Sequence, residues 1–388
     1  MNVDVRIKDP ATLIFTNVRD YVLQGIQLNF GRQDFTSTVS SNRASIRFVY
    51  DSSIGSIDPT TFGLGNEIRV DNVAQGFGLF GGLITDVSFD KDTLQVTAVS
   101  DGFSRLGRGT IDSITTFGGE FDDVFTDLYN NYLNDLWGAA GGPGVIVGQL
   151  GPVPELVTVP TLTNASGITV LQTVAASAPN GFLFEGPGGQ LYFKDQNYFR
   201  PSTWPVPPFT ITEDEIVDDW QMTKTIGEKA NRAQVDYSSG TATAENAADI
   251  SAFGVYETSL ATYATDLTNA QDIADRQIAN LTNPGWQISA ITIPLSPLST
   301  VRQLQYINQT VIGTVVDIPE LYTGLPTRYI VQGISDSIGR DFWERTFYLA
   351  DWELFRPAQW WDDVPAAIEW DDVDPALTWD EMITEWIN

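Results

Sequence analysis

The chain has 388 residues, 42% of them hydrophobic, a net charge of −29, and neither cysteine nor histidine. Its hydrophobic share supports real cores spread over two to four domains, while the acidic balance argues against nucleic acid and anionic membrane surfaces, both of which reward clustered Lys and Arg. Without Cys or His there is no thiol nucleophile, disulfide, Cys/His zinc site or Ser-His-Asp constellation, and the usual general base near neutral pH is missing.

Met1 to Pro10 lacks a basic stretch followed by an apolar run, so no signal peptide is expected, and no window nears the roughly eighteen apolar residues of a membrane helix. The expectation is a soluble protein without a secretion address. Residues 21 to 109 read as β-rich, with strands at Tyr21–Phe30, Ala44–Tyr50, Glu67–Val73, Phe80–Phe89 and Thr93–Val99 between Gly, Asn, Asp and Pro punctuation. This pattern suggests a small barrel or sandwich, closed at Ser100-Asp101-Gly102.

After Arg108 the pattern changes. Phe121, Val124, Phe125, Leu128 and Tyr132 recur at helical spacing behind Glu120, Asp122 and Asp123, predicting a helix that ends before Gly138. A Gly/Pro-rich stretch, 141–160, leads to a second helix over 168–178, with Ser166 as N-cap and Pro179-Asn180-Gly181 as stop. Phe182–Glu185 and Gln190–Lys194 flank Gly186-Pro187-Gly188-Gly189 as a hairpin, so residues 110–218 read as an α+β block.

From Asp219 strands return at Trp220–Lys224 and Arg232–Tyr237, then a helix over 269–281 with Thr268 and Gln271 at capping-box spacing and Asn283-Pro284-Gly285 as its end. Strands come next at Gln287–Ile293, Val311–Ile318, Arg328–Ile334 and Phe342–Leu349. The expected class is α+β, mainly β: two small β-barrel-like domains, 1–109 and 219–352, flanking an α+β insertion, 110–218, with an extended C-terminal tail, 353–388.

That tail is the most unusual segment. Residues 357–388 hold five of the eleven tryptophans and nine carboxylates with no Lys or Arg, and repeat a phrase at Trp361-Asp362-Asp363, Trp370-Asp371-Asp372 and Trp379-Asp380-Glu381. A spacing of nine is about two and a half helical turns and an odd step along a strand, which excludes one amphipathic face. With Pro365 and Pro375 interrupting any long helix, the tail reads as short segments that each set a tryptophan into a pocket; Trp360, Trp361, Trp370, Trp379 and Trp386 are the candidate partner-docking residues. A tail packed back on its own domain is the alternative.

Other motifs yield to simpler readings. Gly76-Phe77-Gly78-Leu79-Phe80-Gly81 fits G-x-G-x-x-G, and Asp101 lies twenty residues beyond, but residues 83–99 alternate like a hairpin where a phosphate site needs a helix. Glu213-Asp214-Glu215 and Asp218-Asp219 lack a calcium-loop pattern and read as solvated surface, with a glycosidase acid and base as a minor alternative. The sequons at Asn164, Asn280 and Asn308 carry no weight without a secretory signal. Trp137, Trp204, Trp220, Trp286, Trp343 and Trp352 read as core or interface residues, with sugar stacking as the other use. No catalytic, metal-binding or cofactor-binding residues are assigned.

Several phrases taken in order resemble long-tailed phage minor tail proteins of the tail-tip baseplate hub family. They are Asp20-Tyr21-Val22 with Gly31-Arg32-Gln33-Asp34, then Ala44-Ser45-Ile46-Arg47-Phe48, Gly65-Asn66-Glu67-Ile68-Arg69-Val70, Leu79 to Asp86 and Ala98 to Phe103. Ala248 to Glu257, Ala274-Asp275-Arg276 and Tyr329 to Ile334 resemble the second half of the same proteins. The resemblance implies a non-enzymatic ring component at the virion tail tip, in which two barrels from each of three subunits match a sixfold tube. Implied partners are further copies of the chain, the tail-tube or distal tail protein, fibre or spike proteins and the tape-measure protein. A hexameric distal tail ring subunit is the near alternative, and a host-glycan-binding or glycan-hydrolysing module the one from another class.

Overall fold

The computed structural model describes residues 3–9, 11–32, 40–49, 59–73, 77–136, 145–147, 156–178, 181–194, 208–217, 220–223, 229–282, 287–319 and 325–352. Alternation builds its main sheet. Val3–Lys8 buries Val3, Val5 and Ile7, Arg43–Val49 buries Ala44, Ile46 and Phe48, and Thr93–Val99 buries Leu94, Val96 and Ala98.

The strands run across the sheet in the order Gln221–Thr223, Gln287–Pro294, Trp343–Asp351, Arg328–Ile338, Val22–Gly31, Arg43–Val49, Thr93–Val99, Phe77–Asp90, Glu67–Asn72, Val3–Lys8, Phe15–Asn17, every pair antiparallel. Val315–Asp317 pairs with Arg328–Ile330, and Phe209–Thr210 adds to it in parallel. The first and second halves of the chain therefore share one sheet, joined where Val22–Gly31 lies against Arg328–Ile338 with Ile26 opposite Ile338 and Gly31 opposite Gly333. One apolar core runs from Val3 to Trp352 across that seam.

The two expected barrels are not what the described residues form: neither half closes on itself. The free edge of Val22–Gly31, which a barrel would have returned to its own half, is taken by the second half. The fold is mainly β with helices, as expected.

At the seam the chain changes partners. Arg328–Ile330 pairs with Val315–Asp317, and after a bulge between Val331 and Gly333 the same strand pairs with Val22–Gly31. Gly31 has φ +70°, and a Cβ there would collide with the Gln332 carbonyl and lie 2.9 Å from Ile312 Cδ1; a Cβ on Gly333 would collide with the Arg32 carbonyl. The two backbones cross at a distance only glycine allows.

A second core gathers the helices Asp101–Arg108, Phe121–Leu128 and Gly167–Ala176. Phe121, Val124, Phe125 and Leu128 are buried as their spacing predicted, and one π-helical turn, Tyr129–Leu133, continues the helix; Gly138 lies outside the described residues. Phe182–Glu185 and Leu191–Lys194 form the expected hairpin. A third, smaller core sits between the helix Leu267–Leu281 and the strands Arg232–Tyr237, Gly240–Glu245 and Glu257–Ala261. The N-cap of that helix is Asp266, whose carboxylate accepts from Asn269 N at 2.9 Å, and not the expected Thr268 box. Three helices, Asp101–Arg108, Ala247–Phe253 and Thr300–Gln309, were not expected.

Candidate functional site

The hairpin 182–194 is where the second core meets the main sheet, and its two charged ends define the site. Glu185, at the end of the apolar run Phe182-Leu183-Phe184, is buried, and its carboxylate accepts from Ser100 Oγ, from Asn42 N at 3.1 Å and from Phe103 N at 3.1 Å. Asn42 returns the contact through Nδ2, which donates to the carbonyls of Glu185 at 3.0 Å and Gly186 at 2.9 Å. Gly81 N, in the main sheet, donates to the Pro187 carbonyl at 2.9 Å.

This arrangement explains a helix that local sequence does not. Asp101–Arg108 receives no hydrogen bond from its own N-cap side chain, that of Ser100; a carboxylate from the hairpin sits at its first turn instead, where backbone donors and the helix dipole favour negative charge. Gly102 is required there, since a Cβ would strike Gly189 O and the Glu185 carboxylate. Burial pushes the Glu185 carboxyl above its usual range, and the donors from Ser100, Asn42, Phe103 and Gly102 offset this in part.

Beside this clamp lies a cavity of about 450 Å³ between the sheet, the hairpin and the end of the helix Thr300–Gln309. Phe30, Phe184, Ile312 and Ile334 give it apolar walls, and exposed Asn308 and Val311 stand at its mouth. Lys194, the last residue of the hairpin, is buried in its wall; Nζ donates to Gly313 O at 3.4 Å and lies 5.4 Å from the Phe184 ring centre. Burial lowers its ammonium to about 7.

Two ion-pair clusters brace the second half. Arg345 grips Asp336 through Nε and Nη2, both at 2.7 Å, with Trp343 Nε1 donating to the same carboxylate at 2.9 Å and Arg345 Nη1 to Tyr306 O at 2.8 Å. Arg302 holds Glu215 at 2.6 and 2.7 Å and lies over the rings of Phe209 and Tyr306, while Tyr306 Oη donates to Glu215 at 2.8 Å. Burial would raise the Glu215 carboxyl, but its donors Arg302, Thr212 N and Tyr306 outweigh this and hold it at about 2. Burial, then Glu215, push the Tyr306 hydroxyl upward.

Trp360, Trp361, Trp370, Trp379 and Trp386 lie outside the described residues, as do Trp137, Trp204, Trp286, Asp218 and Asp219. Trp343 and Trp352 are buried, and Trp220 packs half-buried against the main core. Gly78 and Gly81 belong to the strand Phe77–Asp90, with no helix N-terminus after them. Glu213 and Asp214 are exposed, whereas Glu215 is committed to Arg302. Among the described residues no group of three or more acidic side chains could hold a metal ion. Sequence reading missed Glu185 and Lys194; the available signal was a charge at one end of each strand of an otherwise apolar hairpin.

No protein-family model matches the chain, and no curated protein does. Solved structures do. The 43 kDa tail protein of prophage MuSo2 from Shewanella oneidensis superposes with a TM-score of 0.61 at 12% identity, over 92% of this chain and 100% of that one. A tail protein from Neisseria meningitidis MC58 gives 0.59 at 11% identity over 90% and 96%, and the prophage tail protein gp18 from Listeria monocytogenes EGD-e gives 0.55 at 10% over 89% and 94%. At these identities the likeness is one of fold, and it extends over nearly the whole chain.

Proposed function

We propose that this chain is a structural subunit of a phage tail, a hub-like ring component at the tail tip, assembling as a trimer between the tube above and fibre or spike proteins below. The observation that carries the reading is the fold shared over nearly the whole chain with three tail proteins, both halves of the chain entering one sheet. Its function on this reading is packing and docking, without turnover. Residues 1–109, 110–218, 219–352 and 353–388 are proposed as its divisions, the first and third joined through the one sheet.

A trimer would gather three times the charge of −29 around one axis. Carboxylates lining the lumen would repel passing DNA from its wall. The outer strand Phe15–Asn17, only three residues long and preceded by exposed Leu13 and Ile14, is an edge a neighbouring subunit would cover.

The test is an image of an intact particle carrying a C-terminal label, together with light scattering of the purified chain. A label at the tail tip and a mass of three subunits support the hub. A stable hexamer favours the distal ring, and a label on the capsid overturns the proposal.

A further inference from the structure

We propose that Phe253, carried on a rigid knuckle at the end of the helix Ala247–Phe253, docks into the cavity beside the hairpin 182–194 of a second copy of this chain, its ring among Phe30, Phe184, Ile312 and Ile334 of that copy. Each subunit then offers a knob to one neighbour and a cavity to the other, a head-to-tail contact of the kind that closes rings. This rests on the reading of the chain as a ring subunit and adds which two surfaces meet.

The knuckle holds an aromatic ring out in water. Phe253 and Val255 are 65% and 51% exposed, on either side of Gly254 with φ +85°. Behind them Asn231, fully buried, donates through Nδ2 to Asp249 at 2.8 Å and to Gly254 O at 2.7 Å, and accepts from Tyr256 N at 2.7 Å. Lys229 Nζ donates to Asp249 at 2.8 Å and lies 4.4 Å from the centre of the Phe253 ring. Asn246 caps the helix by accepting from Asp249 N at 3.0 Å. A ring fixed in this way loses little further freedom on docking, which is what makes a rigid aromatic an anchor.

The cavity suits such a ring. Its charged groups are already committed, Glu185 to Ser100, Asn42 and Phe103, Arg345 to Asp336 and Tyr306, and Lys194 to Gly313 O beside the Phe184 ring, so an occupant meets the apolar walls. At about 450 Å³ it has room for a phenyl group, since an apolar cavity of roughly 150 Å³ holds benzene. Charge selects the same two surfaces. Copies at −29 repel one another, so they meet most favourably where neither shows an unmatched carboxylate. The knuckle exposes Ala248, Ser251, Ala252, Phe253 and Val255, its Asp249 is held by Lys229 and Asn231, and Glu245 and Glu257 beside it pair with Arg232. It joins Gly240–Glu245 to Glu257–Ala261 in the small third sheet, and among the described residues none of 229–282 lines the cavity, so the ring that enters comes from another copy.

The absence of cysteine makes the test clean. Full chains carrying only Val255→Cys, on the knuckle, are mixed with full chains carrying only Asn308→Cys, at the cavity mouth; circular dichroism confirms each fold, and mild oxidation is followed on non-reducing gels beside light scattering. The expected result is a mixed disulfide dimer that neither chain gives alone. It should form at least about tenfold more slowly when Phe253→Ala is added to the Val255→Cys chain, and be slowed far less when Phe253→Ala is added to the Asn308→Cys chain. Val311→Asp, which charges the mouth, should slow it in the Asn308→Cys chain, and Phe89→Ala, which removes another exposed ring, in neither. No mixed cross-link from chains that scatter light as oligomers, or a rate indifferent to Phe253→Ala in the Val255→Cys chain, would overturn the docking and leave the ring reading standing. Chains that stay monomeric and do not cross-link would overturn both, and a cross-link within a hexamer would support the docking and remove the trimer.

Discussion

Asp336 and Arg345 sit opposite one another on neighbouring strands, each almost wholly buried, and meet through two 2.7 Å hydrogen bonds inside the protein. Removing either partner strands the other charge in the core. Asp336→Asn or Arg345→Met should each cost about 3–5 kcal/mol, whereas replacing both by leucine should cost much less. Urea unfolding of the two single variants and the double variant measures this.

Gly31 and Gly65 both have positive φ, at +70° and +85°, but a Cβ at Gly31 meets backbone and Ile312 while one at Gly65 meets nothing within 4 Å. Gly65→Ala should cost only the backbone strain, about 1–2 kcal/mol. Gly31→Ala adds a collision at the seam and should cost clearly more, with the apolar core opening to dye. Comparing the two denaturation midpoints decides whether the seam requires glycine.

Glu185 ties the hairpin to Asn42 and Ser100 at the ends of two main-sheet strands and to Phe103 at the start of the helix Asp101–Arg108. Glu185→Ala leaves Ser100 Oγ, Asn42 N and Phe103 N without this partner in a buried place, and each such loss costs about 1–3 kcal/mol. Hydrogen exchange at residues 101–108 should quicken first, before the strand Arg43–Val49. Equal acceleration everywhere would mean the contact does not hold the helix start.

Glu215 supplies an acid-sensitive link. Its carboxyl is held at about 2 when folded, against 4.5 in an unperturbed chain, so between these values the unfolded chain takes up the proton more readily. Its contribution is present above pH 4.5 and is lost as pH falls toward 2. Glu215→Gln should lower stability at pH 7 and flatten the acid slope, so that the stability curves of the variant and the natural protein converge near pH 2.

On the proposed tail role, truncation before Pro357 should leave the body folded while halting assembly into particles. A truncated chain that fails to fold would place the tail in its own core.

Strands such as Arg43–Val49 and Thr93–Val99 were legible because each buries every second residue, and the helix at 121 because its apolar residues return every three or four. The helix Asp101–Arg108 was not, since it contains two glycines and its first turn is satisfied by Glu185, 82 residues away from Phe103. Thr300–Gln309 was hidden because it buries only Tyr306 and Ile307, too few to mark a period. Asp266 displaced Thr268 as a cap because the helix starts one turn earlier than its apolar stripe.

The mainly β character, the acidic balance, the lack of thiol and imidazole chemistry and the unusual tail can all be read from residue order alone. That Val22–Gly31 pairs with Arg328–Ile338 and closes neither half into a barrel, and that Glu185 and Lys194 come to the same junction, emerges only when the chain packs. The physical reason lies in what makes each bond. Periodic burial is written in side chains, whereas a strand edge offers backbone donors and acceptors that nearly every residue carries, so the choice among edges is settled by how the cores pack.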